Sequence, residues 1–220
     1  MKIGIFGGSF NPVHNGHIHL ANETRREFGL DKIYFVPSLI SPHRSISEYA
    51  SADDRFEMIK LACKNDEHLE ASDYELKSDR VSYTIYTVEH FARTFPNSEL
   101  FLLVGGDMLL SFDKWFKYEK ILGMVTLCVV SRNNEDNEEI VKKAENLRRF
   151  GKILISSALP ITISSTEIRK KIAKNRNYAC YLNENVVQYI TLRGLYSGRG
   201  ESEVLYNPDE KKKYLKENLS

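Results

Sequence analysis

Apolar and polar residues follow one another along this chain in a pattern that predicts strands and helices in turn. Short apolar runs over residues 2–7, 32–37, 100–104, 125–130 and 152–155 are typical of buried strands, with a weaker strand over 69–76. Stretches with apolar positions three or four apart predict helices over 17–28, 52–64, 82–95, 115–122, 140–150, 165–174 and 183–191. Because strands alternate with helices, we predict an α/β fold: a single doubly wound, mostly parallel sheet with helices on both faces.

The pattern ends near residue 196, so residues 1–196 are expected to form one domain. The chain has 220 residues, of which 42% are hydrophobic, and this fits one α/β domain with a small appendage. Residues 197–220 are polar and rich in Glu and Lys, and we expect them to form a tail that is partly disordered. Alternatively, Tyr206 and Tyr214 dock this tail on the body.

Charge and cysteine usage exclude several classes of protein. With 31 basic and 30 acidic residues, the chain has no overall footprint for nucleic acid or for a membrane, and Lys211–Lys213 beside Asp209 is interpreted as a solvated charge run. No apolar run reaches the roughly 18 residues that span a bilayer, and the N-terminus lacks a signal-peptide layout. Three scattered cysteines are expected to be reduced and buried in a cytoplasmic protein, either a monomer or a homo-oligomer.

The segment from Gly7 to His17, GGSFNPVHNGH, lies between the first predicted strand and the first predicted helix. A glycine-bearing turn from a strand into a helix lets the backbone approach a phosphate group. His14 and His17 lie three residues apart in it, and imidazoles there can donate hydrogen bonds to charge that develops on a phosphate. The segment matches neither the dinucleotide-binding glycine fingerprint nor a P-loop. We interpret it as a phosphate-binding turn that carries imidazoles, and call it the histidine turn.

Two other interpretations of the histidine turn are open. His14, His17 and His19 could form a metal site, but structural zinc sites usually have four ligands, often including cysteines, and the nearest cysteine is Cys63. In a helix, His19 would also point roughly 160° away from His14, at roughly 100° per residue. The other interpretation is that the glycines and histidines are purely structural.

Polar segments also follow other predicted strands. The carboxyl ends of parallel strands lie at one edge of a sheet, and open α/β sheets bind their ligands there. We therefore expect these segments to lie close to the histidine turn. They are Ser38–Arg44 after the second strand, Gly105–Asp107 after the strand over 100–104, and Ser131–Arg132 after the strand over 125–130.

Residues 163–169, ISSTEIR, form a second candidate phosphate element. Ser164, Ser165 and Thr166 lie at the predicted N-terminus of a helix, where unpaired N–H groups and the helix dipole favour an anion. Arg169 follows Ser165 by about one turn and can bind the same anion. Alone, this segment would be interpreted as an ordinary helix cap with Arg169 in a surface ion pair. Together with the histidine turn, it indicates a binding site for a triphosphate.

These two segments closely resemble the first and last motifs of nucleotidyltransferases of the HxGH type. Within that superfamily the resemblance narrows to bacterial nicotinate-nucleotide adenylyltransferases and covers roughly residues 1–196. The narrower match is carried by Pro42-His43-Arg44, Ser82-Tyr83-Thr84, Gly105-Gly106-Asp107-Met108, Trp115 and Ser131-Arg132. The resemblance implies a Rossmann-like fold whose C-terminal helices close the ATP site.

The resemblance also implies a reaction: adenylyl transfer from ATP to nicotinate mononucleotide in NAD biosynthesis, with Mg²⁺ accompanying ATP and no metal held by protein side chains. The acceptor phosphate has a second pKa of about 6, so it is mostly dianionic at neutral pH and needs no protein base. The implied catalytic residues are His14, His17 and Arg169. The implied ATP site comprises Gly7, Gly8, Ser9, Phe10, His14, Gly16, His17, Gly105, Asp107, Ser164, Ser165, Thr166 and Arg169.

The resemblance implies a separate site for the acceptor. Arg44 and Arg132 are expected to bind the phosphate of the mononucleotide. Trp115 is expected to stack on its pyridine ring, and Thr84 to bind the nicotinate carboxylate near a helix start. A positive helix end favours the acid over the neutral amide, so we expect nicotinate to be preferred to nicotinamide.

The sequence departs from the family pattern at two positions. Asn11 stands where the first motif often has Asp, and we give it a role in shaping the turn; Gly106 stands where another small residue is common. Two alternatives remain: a related enzyme acting on nicotinamide mononucleotide, phosphopantetheine or glycerol phosphate, and a non-catalytic nucleotide-binding regulator. The intact His14, His17 and Arg169 argue against the regulator.

Overall fold

A computed structural model of the protein describes residues 1–39, 50–78, 81–130, 137–159, 161 and 163–197. The strands are β1 (Lys2–Gly8), β2 (Lys32–Pro37), β3 (Leu69–Ala71), β4 (Glu99–Gly105), β5 (Thr126–Val130) and β6 (Ile153–Ser156). The helices are α1 (Asn15–Phe28), α2 (Ala52–Cys63), α3 (Thr84–Thr94), α4 (Gly106–Leu110), α5 (Tyr118–Met124), α6 (Asn137–Leu147), α7 (Ser165–Ala173) and α8 (Glu184–Arg193).

The strands form one sheet in the order β3-β2-β1-β4-β5-β6, and every neighbouring pair is parallel. The chain winds outward from β1 to β3, returns to the centre at β4, and then winds the other way. The winding therefore reverses between β1 and β4, where Phe6 lies opposite Leu103. In open α/β sheets a crevice for ligands lies at the carboxyl ends of such a pair. The predicted α/β fold is confirmed.

Each face of the sheet is covered by its own hydrophobic cluster. On one face, the buried side chains of β1, β4 and β5 pack against α3–α6 through residues such as Val88, Leu109 and Ile121. On the other face, β2 and the centre of the sheet pack against α1, α2, α7 and α8 through residues such as Met58 and Ile190. The second cluster includes Ile168 of α7, so the element that carries the ISSTEIR segment is anchored in the core.

Several element ends differ from the sequence expectation: α6 begins at Asn137, before the expected residue 140, and the short helix α4 was not expected. The helix expected over 115–122 begins only at Tyr118, because Lys117 has a left-handed backbone (φ 56°) that interrupts the helix. Trp115 consequently follows a short 3₁₀ turn, Phe112–Lys114, and lies outside any α-helix. The strand expected over 69–76 is limited to Leu69–Ala71. By contrast, α1 ends as expected at Gly29, whose φ of 64° is one that glycine readily adopts.

Two of the three cysteines are buried, as expected. Burial raises the pKa of the Cys63 and Cys128 thiols to about 12, which makes both poor nucleophiles. The expectation is wrong for Cys180, which is exposed because it lies in the short 3₁₀ turn Ala179–Tyr181 that precedes α8. Among the described residues, no helix is both long and apolar enough to cross a membrane.

Some sequence expectations fall outside the described residues. They concern Arg44 and Arg132, which are expected to bind the acceptor phosphate, and all of the tail except Ser197.

Candidate active site

The histidine turn leaves the sheet at the carboxyl end of β1. Phe10 is almost fully buried, and its ring packs 5.5 Å from that of Phe6 and 5.4 Å from that of Phe35, measured between centroids. This aromatic contact fixes the start of the turn on top of the sheet. The turn then leads into α1, with His14 as the N-cap residue in an extended conformation (φ −145°).

The two imidazoles of the turn lie against each other. Their ring centroids are 3.7 Å apart with 26° between the ring planes, and His14 is buried. The backbone N–H of His14 donates to Nδ1 of His17 at 3.2 Å. Because Nδ1 accepts this bond, the proton of a neutral His17 ring must be on Nε2, which can donate it to a ligand. The backbone thus sets the tautomer of His17.

Close packing around Gly16 keeps the histidine pair in place. A Cβ at this position would lie 3.0 Å from Nδ1 of His14 and 3.3 Å from a methyl carbon of Ile163. A larger residue would therefore displace the ring or the segment that precedes α7. His19 faces another group, with its Nε2 2.8 Å from the carbonyl oxygen of Leu159. The described part of the chain contains no group of three or more His, Cys, Asp or Glu that could hold a metal ion.

Helix α7 begins with a reciprocal cap. The hydroxyl of Ser164 accepts from the Glu167 N–H at 3.2 Å, and the Glu167 carboxylate accepts from the Ser164 N–H at 3.1 Å. This capping box provides hydrogen-bond acceptors for two of the N–H groups at the start of the helix. The Ser164 hydroxyl is therefore engaged in capping the helix. The side chains of Ser165 and Thr166 lie in the first turn, beside the donors that remain.

Two hydrogen bonds join α7 to the histidine turn. The Ser165 hydroxyl donates to the carbonyl of Pro12 at 2.9 Å, and Nη1 of Arg169 donates to the carbonyl of Asn11 at 2.8 Å. Nη2 of Arg169 donates to the Thr166 hydroxyl at 3.3 Å. The structure thus brings together the two predicted phosphate elements, although they are separated by about 150 residues.

The carboxyl end of β4 borders the same crevice. Gly105 ends the strand, and Asp107 lies exposed in the first turn of α4. The Asp107 carboxylate folds back over the α-carbon of Gly105, so a side chain at position 105 would collide with it. Gly7 and Gly8 end the neighbouring strand β1, and the ring of Phe10 packs over Gly8.

An aromatic surface adjoins the start of α3. Thr84 is the first residue of that helix, and the Ser82 hydroxyl beside it accepts from the Leu39 N–H, which follows β2, at 3.3 Å. The rings of Tyr83 and Phe116 are 4.9 Å apart, and each residue is 43% exposed. Trp115 is half-buried and packs on Phe112 at 4.8 Å. The more exposed ring near Thr84 is therefore Phe116, which sequence reasoning did not select.

Sequence reasoning also missed Arg55, a buried guanidinium under the histidine turn. Its Nη1 donates to the carbonyl of Ser9 and its Nη2 to the carbonyl of Ser38, both at 2.8 Å. It therefore joins the chain after β1 to the chain after β2. A signal was present, because Arg55 shares a helix face with the core residues Met58 and Ile59, where a charge is unusual.

The fold and the paired phosphate elements define a nucleotidyltransferase class. The model of the Cytidylyltransferase-like family matches residues 5–171, a span that includes the histidine turn and the ISSTEIR segment. A protein of Clostridium novyi (strain NT) named "Probable nicotinate-nucleotide adenylyltransferase" is 38% identical over 183 residues, which are 82% of this chain and 91% of the relative. A protein of the same name from Dictyoglomus turgidum is 36% identical over 208 residues, which are 93% of this chain and 100% of the relative.

The chain therefore belongs to the Cytidylyltransferase-like family and, within it, to the nicotinate-nucleotide adenylyltransferases. The resemblance found in the sequence is confirmed. A solved structure of Plasmodium falciparum nicotinic acid mononucleotide adenylyltransferase complexed with NaAD has the same fold, with a TM-score of 0.73 at 20% identity. That likeness covers 90% of this chain and 98% of the other.

Proposed function

We propose that this protein transfers the adenylyl group of ATP to nicotinate mononucleotide, giving nicotinate adenine dinucleotide and pyrophosphate in cytoplasmic NAD biosynthesis. Family membership supports the reaction class, and the names of the relatives support the acceptor. The histidine turn and the start of α7 supply the donors that such a transfer requires.

In this reaction, an oxygen of the acceptor phosphate attacks the α-phosphorus of ATP. The bond from the α-phosphorus to the oxygen that bridges to the β-phosphate breaks, and pyrophosphate leaves with the bonding electrons. The acceptor needs no protein base, since its phosphate is already mostly dianionic at neutral pH. The task of the protein is to align the two substrates and to stabilise charge on the α-phosphate and the leaving group.

The observation that carries the proposal is the pair of bonds from Ser165 and Arg169 to the histidine turn. They place a helix N-terminus and a guanidinium next to the stacked imidazoles. We assign the Nε2–H of His17, with His14, to the α- and β-phosphates. Ser165, Thr166 and Arg169 bind the β- and γ-phosphates, where the leaving pyrophosphate gains charge.

Mg²⁺ enters this proposal as the companion of ATP. Hard oxygen ligands suit this ion, and it commonly binds substrate phosphates while keeping several waters. We therefore expect phosphate oxygens of ATP and water to be its ligands. Bound with ATP, it neutralises part of the phosphate charge.

We place the acceptor along the surface formed by Thr84, Tyr83 and Phe116. Thr84 offers its hydroxyl at the start of an 11-residue helix, and the positive end of the helix favours a carboxylate over an amide. The half-exposed Phe116, beside the half-buried Trp115, is the aromatic residue that we assign to the pyridine. Arg44 and Arg132 remain the candidates for the acceptor phosphate.

The proposal is tested by pyrophosphate release from ATP and Mg²⁺ with a panel of acceptors: nicotinate mononucleotide, nicotinamide mononucleotide, phosphopantetheine and glycerol phosphate. We expect release with nicotinate mononucleotide and a much lower kcat/KM with its amide. Equal kcat/KM for acid and amide would overturn the acceptor preference. Release with phosphopantetheine or glycerol phosphate instead would indicate another enzyme of the superfamily, and release with none would favour a nucleotide-binding regulator.

A further inference from the structure

Tyr196 lies where the described fold ends, two residues after the glycine that terminates α8. Its backbone has a φ of 64°, in the left-handed region that bulky residues rarely adopt. Phe10, in the histidine turn, also has a positive φ, of 45°. Such conformations persist where surrounding contacts over-determine them, and they cluster at functional sites.

The side chain of Tyr196 holds the centre of the histidine turn. Its hydroxyl donates to Oδ1 of Asn11 at 2.7 Å, and the same oxygen accepts from the Ala50 N–H at 3.1 Å. Asn11 is only 1% exposed, so these bonds are shielded from water. The carbonyl of Asn11 accepts from Arg169 at the same time. Tyr196 therefore holds the side chain of Asn11, and Arg169 of α7 holds its backbone carbonyl.

The surroundings keep the Tyr196 phenol a neutral donor. Burial raises the pKa of Tyr196. The nearby Arg169 and Arg55 partly offset this rise, and the Asp54 carboxylate adds to it. The bond lies three residues before His14, so a shift of Asn11 would move the imidazole pair.

We propose that Tyr196 is a positioning residue of the adenylyl transfer: through Asn11 it fixes the histidine turn so that His14 and His17 face the phosphates of ATP. This inference rests on the proposed function. Tyr196 acts through Asn11 and does not itself touch the substrate. Because the contribution is one of alignment, its loss should appear mainly in kcat, since misplacement of catalytic groups by about 1 Å can cost about a hundredfold in rate.

The test compares Tyr196→Phe with Tyr189→Phe. The second variant removes a buried hydroxyl that donates to Asp54 at 2.8 Å, outside the histidine turn. We expect both variants to lose similar stability in thermal unfolding, but only Tyr196→Phe to lose about tenfold or more in kcat. Its KM for nicotinate mononucleotide should stay near that of the wild type. Unchanged kcat in Tyr196→Phe, or an equal loss in Tyr189→Phe, would overturn the inference.

A double-mutant cycle identifies the contact that transmits the effect. If Tyr196 acts through Asn11, Tyr196→Phe should lower kcat no further in an Asn11→Ala background. Asn11→Asp, which keeps the acceptor oxygen, should restore the sensitivity to Tyr196→Phe. If the fold-losses in kcat of Tyr196→Phe and Asn11→Ala multiply in the double variant, Tyr196 does not act through Asn11. If the wild-type protein releases no pyrophosphate with any acceptor, the proposed function has failed, whereas active wild-type protein with an active Tyr196→Phe variant rejects only this inference.

Discussion

Several residues of the candidate site are held in place by hydrogen bonds within the protein. The tautomer of His17 is set by a backbone N–H, Arg169 is fixed on a carbonyl of the histidine turn, and Arg55 joins two strand ends from below. Preorganised donors cost little reorganisation when charge develops on a phosphate. The chemistry of the site therefore depends as much on these bonds as on the imidazoles themselves.

Replacing His17 by alanine tests the role of its Nε2–H. Loss of one preorganised donor costs about 3–4 kcal/mol of transition-state stabilisation, so kcat should fall several hundredfold with a modest change in KM. His19→Ala is the control, because the His19 ring bonds to the Leu159 carbonyl and should be dispensable for turnover. Steady-state pyrophosphate release measures both. Near-normal turnover in His17→Ala would remove His17 from the mechanism.

Glu75 should make the stability of the fold depend on pH. Its carboxyl is buried, accepts from the Thr87 hydroxyl at 2.6 Å, and has a pKa that burial raises above its ordinary value. The folded state therefore binds this proton more tightly than the unfolded state does. Stability is greatest below the ordinary pKa of Glu and falls as pH rises through the raised one.

Glu75→Gln removes this titration and keeps a carbonyl that can accept from Thr87. The variant should gain stability relative to the wild type as pH rises above about 4.3, the ordinary pKa of Glu, with the gain levelling off above the raised pKa. Urea unfolding between about pH 4 and 8 measures the difference. Glu89→Gln is the control, because Glu89 has a lowered pKa through its bond to Lys120, so its pH-dependent effect has the opposite sign and lies mostly below the ordinary pKa of Glu, leaving little change between about pH 4 and 8. A stability gain in Glu75→Gln that is independent of pH would contradict the assignment.

Helix α7 begins with a stable cap beside its proposed phosphate-binding residues. The Ser164–Glu167 capping box secures its first turn, Ile168 anchors it in the core, and Ser165 and Arg169 reach the histidine turn. Its sequence pattern predicted the helix start to the residue, because capping is a local property. The contact with the histidine turn depends on tertiary packing and could only be inferred from the sheet edge that both elements share.

The cap of α7 can be tested separately from its ligand. Ser164→Ala should lower the free energy of unfolding by about 1 kcal/mol, the usual cost of losing an N-cap. Its KM for ATP should also rise several-fold, because fraying loosens Ser165 and Thr166. Asn183→Ala removes the cap of α8 and should cost similar stability without changing the KM for ATP. Urea unfolding and initial rates at varied ATP measure both variants, and an identical effect on KM would refute a specific role for α7.

At the level of the whole molecule, the reversal of winding between β1 and β4 sets a crevice at the carboxyl ends of these strands. In the proposed arrangement, ATP lies at the histidine turn and α7, and the acceptor lies at α3 and Phe116. The parallel α/β sheet and the two candidate phosphate elements could be predicted, because apolar periodicity and glycine turns are local signals. For Arg55 the sequence gives only an unusual charge on a core-facing side of a helix, and the contacts of Phe116 and Tyr196 could not be predicted, because they form only after the helices pack.

This arrangement predicts that the binding of each substrate can be weakened without affecting the binding of the other. Phe116→Ala should raise the KM for nicotinate mononucleotide about two- to tenfold, the range expected from losing about 0.5–1.5 kcal/mol of aromatic contact, and leave the KM for ATP unchanged. Val141→Ala, an exposed apolar residue of α6, serves as the control. Initial rates at varied concentrations of each substrate separate the two effects. A rise in the KM for ATP alone would place the acceptor elsewhere.

The bond from Tyr196 to Asn11 has a consequence for biosynthesis of the protein. It joins residues 185 positions apart, so the ribosome makes the histidine turn early and its fastening residue late. Parallel sheets already fold slowly because their contacts are distant in sequence. A nascent chain can therefore build much of its sheet while its imidazoles are still unaligned. The full rate of adenylyl transfer should therefore be reached only once residue 196 has emerged and docked, later than the sheet that carries the site.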